Sequence, residues 1–208
     1  MFARSNRSRD AVTPQGAPTR EDDIRIAALA AAGDRTAQRQ IVVSLLGKVR
    51  SIIAYSVNDP IATEDLTQTA MLKVLISLKD YRGESTLAFW ATRIAVRMAT
   101  RAIKTKKRRQ QLLFFLPEPT SPFTGVEARA TQAEMRWHIN HLVSKLSAKQ
   151  QMAIRLRYVH EYNIKEISEI TNVSENTVRD RLRVGKKKLK RLLVKNPAVR
   201  AGLFEVNE

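Results

Sequence analysis

Residues 174–190 carry side chains whose types and spacing suit the reading of double-stranded DNA. Asn176, Arg179, Asp180 and Arg183 fall on one side of a helical wheel, followed on that side by Lys186, Lys187 and Lys190, and Glu175 and Thr177 in the first turn join them near where base edges would lie. Arg forks onto two acceptors of guanine, Asn pairs with adenine, and acids accept from cytosine. Lysines grip phosphate without regard to sequence. The opposite side holds Val178, Leu182, Gly185, Leu189 and Leu192, spaced by fours and threes. Ser174 is placed to cap this helix, with Glu175 against the positive end of its dipole. Just before it, Ile164, Ile167 and Ile170 give a short helix an apolar face, and Thr171-Asn172 breaks it. Two helices, a tight turn and a second helix that is polar then basic make a helix-turn-helix pattern.

Other reactive side chains are sparse. His138 and His141 share one helical face, but no third ligand stands at metal-binding spacing. His160-Glu161 has no evident catalytic partner, and no glycine loop suited to phosphate is present. No metal, no cofactor and no enzymatic activity are expected. Cysteine is absent, which removes disulfides and thiolate sites.

The totals agree with a polyanionic partner. The 208 residues carry a formal net charge of +17, and the sequence pI is about 10.7. No apolar run is expected to span a bilayer, and residues 1–20 lack the apolar segment of a secretory signal. Stable membrane insertion is not expected, and the expected location is the cytoplasm.

The pattern predicts an all-α chain of two small helical domains joined by a proline-containing linker, the C-terminal domain holding the helix-turn-helix. Residues 1–20 read as a disordered basic tail. Residues 21–109 read as the first domain, with helices over about 21–32, 35–57, 61–78 and 86–106. The second buries Ala37, Ile41, Leu45, Val49 and Ile52 or Ile53. The third buries Leu66, Ala70, Val74 and Leu78 and shows Glu64, Asp65, Gln68 and Lys73. The fourth has Phe89, Trp90, Ile94, Met98, Ala102 and Ile103 at core spacing, with Trp90 read as core. It ends on six basic residues between 101 and 109. Pro117, Pro119, Pro122 and Gly125 place the linker at 110–132, where Leu112 to Leu116 are unusually apolar. Helices resume near Val126. Residues 133–195 form the second domain, striped by Met135, Ile139, Leu142 and Leu146, then by Met152 or Ala153, Leu156 and Val159 after the cap at Ser147. Residues 196–208 form a tail.

Several motifs in this order resemble a known family. Glu64-Asp65-Leu66-Thr67-Gln68, Tyr81-Arg82-Gly83-Glu84-Ser85, Phe89-Trp90 and Arg93-Ile94-Ala95 look like the second conserved region of bacterial sigma factors. Leu146-Ser147, Leu156-Arg157-Tyr158, Ile167-Ser168-Glu169-Ile170 and residues 177–182 look like the fourth. With no third region between them, the chain is similar to the extracytoplasmic-function (ECF) type. The resemblance implies a factor that binds core RNA polymerase and directs it to promoters by recognising and opening −10 and −35 elements. It implies contact with the β′ clamp helices through Asp65 and Gln68, contact with the β flap, and capture of a flipped −10 base by Arg82, Gly83, Glu84, Ser85 and Thr86. It implies that Arg93 and Arg97 face the opened strand. The −35 element would be read by Ser174, Glu175, Asn176, Thr177, Arg179, Asp180, Arg183, Lys186 and Lys187. An anti-sigma factor is implied as partner, clamping a compact state that opens on polymerase. The chain departs from the family pattern at Leu87 (often Phe), Arg97 (often Asn) and Thr171-Asn172-Val173 (usually Leu-Gly-Val).

Two other readings compete. A helix-turn-helix regulator that is not a polymerase subunit leaves residues 64–97 unexplained. A DNA-modifying enzyme with a C-terminal reader needs a catalytic core with a placed nucleophile, which the sequence lacks.

Overall fold

The computed structural model describes residues 19–57, 59–112 and 132–195, with backbone alone over 132–136. Among these residues the chain forms eight α-helices, one 3-10 turn and no strand. Expectations that fall on 1–18, 113–131 and 196–208, including Leu113 to Leu116 and a helix resuming near Val126, lie outside the described residues.

Local chemistry sets each helix start. Thr19 caps α1 (Arg20–Ala31) in a reciprocal box with Asp22. Gly33 then takes φ 98°, and Asp34 accepts from the N–H of Ala37 at the start of α2 (Arg35–Val57). Asp59 caps α3 (Pro60–Ile76), with Pro60 at the first helical position, where its missing N–H costs nothing. The 3-10 turn Leu78–Asp80 leads into α4 (Leu87–Leu112). After α5 (Gln132–Ser144), capping boxes start both α6 (Ala148–Tyr158), with Ser147 and Gln150, and α7 (Ile164–Thr171), with Asn163 and Glu166. Ser174 accepts from the N–H of Thr177 at the head of α8 (Glu175–Val194).

The core of the first four helices is the stripe of α2. Ile41, Leu45, Val49, Ile52 and Ile53 are all at most 4% exposed. Each such side chain stabilises the fold by about 1.5–3 kcal/mol relative to exposure. This corrects the expectation that no run could span a bilayer. By length and composition α2 is apolar enough, with a mean hydropathy of 1.3, but its apolar stripe is spent inside the bundle against α3 and α4.

Three other stripes also differ from expectation. In α3 the buried face is Thr63, Thr67, Ala70, Met71 and Val74, while Leu66 is only half-buried. The buried Thr67 hydroxyl is satisfied by the helix itself, donating to the carbonyl of Thr63 at 2.7 Å. In α4 the buried stripe is Leu87, Ala91, Ala95, Val96, Ala99 and Ile103, with Thr92. Phe89, Trp90, Ile94, Met98 and Ala102 are half-buried around it. The small residues face α2, where they permit close approach, and the larger ones lie along the rim. The helix also continues six residues beyond the expected end, because Lys, Arg and Gln are good helix formers and nothing breaks the run. In the C-terminal helices Ile139 and Val159 are exposed, while Leu142, Val143, Leu146, Met152, Ala153, Ile154 and Leu156 are buried.

The two helical groups pack on each other. α4 meets α6 and α7, and α2 meets α6. Arg155 of α6 is 4% exposed and donates to the Gln151 side-chain oxygen at 2.9 Å and to the Ser56 carbonyl at 3.4 Å. Burial lowers its pKa to about 10, so it stays charged at neutral pH among neutral oxygens. Tyr162 packs edge-on against Phe89 at 6.4 Å, lies 3.5 Å from the Thr92 hydroxyl, and carries the Lys48 ammonium 5.4 Å over its ring.

Candidate nucleic-acid interface

A cleft of about 580 Å³ opens between the end of α3, the segment 80–85 and the outer side of α4. Lys73, Arg82, Arg93, Arg97 and Arg101 line it with Asp80 and Glu84, and Trp90, Ile94 and Met98 give it an apolar wall. Basic groups beside aromatic and apolar surface suit an unstacked nucleotide, which needs a phosphate partner and a face to stack on.

The segment is held rigidly from three directions. The Tyr81 hydroxyl donates to the Ser85 carbonyl at 2.7 Å, and its ring meets Trp90 at 5.5 Å. Burial first, and then the Asp23 charge, push the Tyr81 pKa up and keep the hydroxyl a donor. Gly83 has φ 70°, and a Cβ there would stand 2.5 Å from the Ile24 side chain. Thr86 accepts from the N–H of Phe89 at 3.3 Å, and Asp23 accepts from that of Leu87 at 2.8 Å, so the head of α4 is capped twice.

Of the expected −10 residues, Arg82, Glu84, Ser85, Arg93 and Arg97 line the cleft. Gly83 and Thr86 shape the segment without lining it. Trp90, expected in the core, is half-buried on the cleft wall. Sequence reading missed Lys73 and Arg101 as cleft residues. Arg101 was detectable, since Arg93, Arg97 and Arg101 recur every four residues along α4.

Asp65 and Gln68 are exposed on α3. They share one helical stripe with Ile61, Leu72 and Ile76, which are 79%, 60% and 64% exposed. Sequence reading missed these three, because it assigned apolar residues of α3 to the core. An exposed apolar row of this kind is a candidate contact surface.

In the helix-turn-helix, Ile167, Ile170, Val178 and Leu182 are buried together. Asn172 adopts φ 50°, ψ 56° at the end of α7. This is the left-handed turn conformation for which Gly, then Asn, is favoured, so Asn172 meets the conformational demand of the turn. The outer side of α8 presents Asn176, Arg179, Asp180, Arg183, Lys186 and Lys187 to solvent, with Glu175 and Thr177 half-buried and Ser174 exposed at the cap. Arg179 donates to Glu175 at 2.7 Å and to Asn176 at 3.1 Å, and Arg183 donates to Asp180 at 2.6 Å. These contacts align the polar side chains along one another on the outer side of α8.

On α5, Trp137 stacks on His141 at 5.3 Å and meets His138 edge-on at 5.0 Å. Among the described residues no group of three His, Cys, Asp or Glu is arranged to hold a metal ion.

Known proteins share this arrangement. The Sigma-70 region 2 family model matches residues 41–109, and the Sigma-70, region 4 model matches residues 138–189, together more than half the chain. The chain is 23% identical over 173 residues to the RNA polymerase sigma-H factor of Pseudomonas aeruginosa, covering 79% of this chain and 90% of that protein. It is 24% identical over 170 residues to the ECF RNA polymerase sigma factor SigW of Bacillus subtilis, covering 77% and 91%. It is 26% identical over 167 residues to the ECF RNA polymerase sigma-E factor of Escherichia coli, covering 72% and 83%. Its fold is similar to that of the sigma factor RpoE solved with the anti-sigma factor NepR from Bartonella quintana, with a TM-score of 0.56 at 17% identity over 74% of this chain and 95% of that one. It is similar also to CnrH solved with the cytosolic domain of CnrY, with a TM-score of 0.58 at 20% identity over 84% and 98%. The chain belongs to the sigma-70 family as a sigma factor of the ECF type, which directs promoter-specific transcription.

Proposed function

We propose a division of labour among three surfaces of this sigma factor. The α3 stripe of Ile61, Asp65, Gln68, Leu72 and Ile76 docks on the β′ clamp helices of core RNA polymerase. The cleft beside Arg82 to Ser85 takes a flipped base of the −10 element, and Arg93 and Arg97 follow the opened strand. The outer side of α8 reads the −35 element in the major groove, and the C-terminal helices engage the β flap. The observation that supports this most is the basic, part-aromatic cleft, because a regulator acting only through its helix-turn-helix has no use for it.

The closed packing of the two groups bears on regulation. One protein of similar fold was solved in complex with an anti-sigma factor, and another in complex with the cytosolic domain of CnrY. We infer that an anti-sigma factor holds this chain closed, and that polymerase opens it. The test is to add the purified chain to core RNA polymerase on genomic promoter fragments. Initiation at defined sites is the expected result. Duplex binding without any defined start overturns the reading in favour of an ordinary regulator.

A further inference from the structure

A second cleft, of about 450 Å³, lies between the two helical groups. Five cations line it: Arg97, Arg101 and Lys104 from α4, Lys149 from α6 and Arg181 from α8. No acidic residue does. Its floor is apolar, formed by Val96, Met152, Ile170 and Val173.

Three of these cations, Lys104, Lys149 and Arg181, have no place in the surfaces already described. Arg181 lies on the side of α8 opposite Arg179 and Arg183 and is half-buried. Lys149 stands in the first turn of α6, away from the −10 cleft. Closing the chain therefore drives like charges together from both sides, which is unfavourable unless an anion sits between them. The crowding continues one turn along α4. There burial, and then Lys188 and Lys145, hold the Lys107 ammonium below its ordinary pKa.

We propose that this interdomain cleft is a binding site for a small polyphosphate anion, bridged between α4 on one side and α6 and α8 on the other. Arginine forks match phosphate oxygens two at a time, and the lysines add charge without geometric demand. The volume falls in the range of small-ligand sites. Because Arg97 and Arg101 line both clefts, the bound anion competes for them with the opened strand, a consequence that rests on the proposed function. The binding itself does not.

The test is calorimetric titration of the full chain with inorganic triphosphate at physiological salt. Saturable one-to-one binding is expected. Lys104→Gln and Arg181→Gln, one from each side, should each weaken it roughly tenfold. Arg39→Gln, on the exposed side of α2, removes the same charge elsewhere and should leave it unchanged. Arg181→Lys keeps the charge but removes the fork, and should fall between. Absence of saturable binding overturns the proposal. So does equal weakening by all the charge-removing variants, which indicates bulk attraction, or an effect from one side of the cleft alone.

Discussion

The carboxylate of Asp23 accepts a hydrogen bond from the backbone N–H of Leu87 at 2.8 Å, joining residues 64 positions apart. Asp23 is 7% exposed, so this contact is made out of water. It ties α1 to the first turn of α4 and thereby fixes one end of the segment that borders the cleft beside Arg82 to Ser85. A hydrogen bond to a charged group typically contributes about 1.5–3 kcal/mol.

Asp23→Ala should therefore lower unfolding free energy by about 1–3 kcal/mol, since it leaves a buried N–H without its acceptor. Chemical denaturation measures this. Asp23→Asn keeps an acceptor and should recover part of the loss. If both variants are as stable as the parent, the contact is not holding α1 to α4.

Gly83→Ala tests the same segment from its middle. At φ 70° a side chain costs about 1–2 kcal/mol, and the added Cβ must also displace Ile24. The variant should form fewer heparin-resistant open complexes while its binding to core polymerase persists. Equal open-complex yields would show that the segment does not shape the −10 contact.

Legibility in the sequence varied with the kind of signal. Caps were plain, as at Ser147 and Ser174, because one side chain and its local backbone decide them. The α2 stripe was plain because large apolar residues recur there at helical spacing, although Val43, Leu46 and Tyr55 lie exposed elsewhere on the helix. The α4 stripe was not. Phe89, Trp90, Ile94 and Met98 compete with Leu87, Ala91, Ala95 and Ala99, and only the partner helix selects the small set for close packing. The cleft beside Arg82 to Ser85 was half legible, through Arg93, Arg97 and the residues after Tyr81; Lys73 lines it from a different helix. Arg155 was opaque, because a charged residue in an apolar stripe reads as a surface position until Ser56 and Gln151 are seen around it.

The α3 stripe gives a prediction about polymerase. Asp65→Ala with Gln68→Ala should weaken core binding and leave helical content intact, since both side chains are exposed. Leu72→Ser should do the same through the apolar row, without loss of stability, because Leu72 is 60% exposed. Pull-down with core enzyme reads the effect. Unchanged affinity in both variants would remove α3 from the docking surface.

On α8, Arg179→Ala and Arg183→Ala should each cost about 1–3 kcal/mol in promoter binding if they fork onto a base. The pairs they form in the free chain are solvent-exposed and contribute little to stability, so folding should hardly change. Lys187→Ala should weaken binding evenly across −35 sequences and flatten its salt dependence. Competition between −35 variants separates the two behaviours. Equal losses on every sequence for all three changes would refute base reading by this helix.

The contact between the helical groups carries a pH dependence. His160 packs edge-on against Tyr55 of α2 at 5.8 Å, and burial, then Lys48 and Arg155, hold its pKa below the ordinary value. All the charges named there are positive, so the packed state favours neutral imidazole. When the groups separate, His160 returns towards its ordinary pKa of about 6.5 and binds a proton more readily. Packing is therefore favoured above that value, weakens as the pH falls through it, and stops weakening once the pH lies below the depressed value. Labels at Ser51→Cys and Lys195→Cys, in a chain without other cysteines, report the separation. Acidification from about pH 7.5 to about pH 5.5 should populate longer distances, and His160→Gln, which cannot titrate, should reduce that response. The same pH response in the parent and in His160→Gln would assign the effect to other groups.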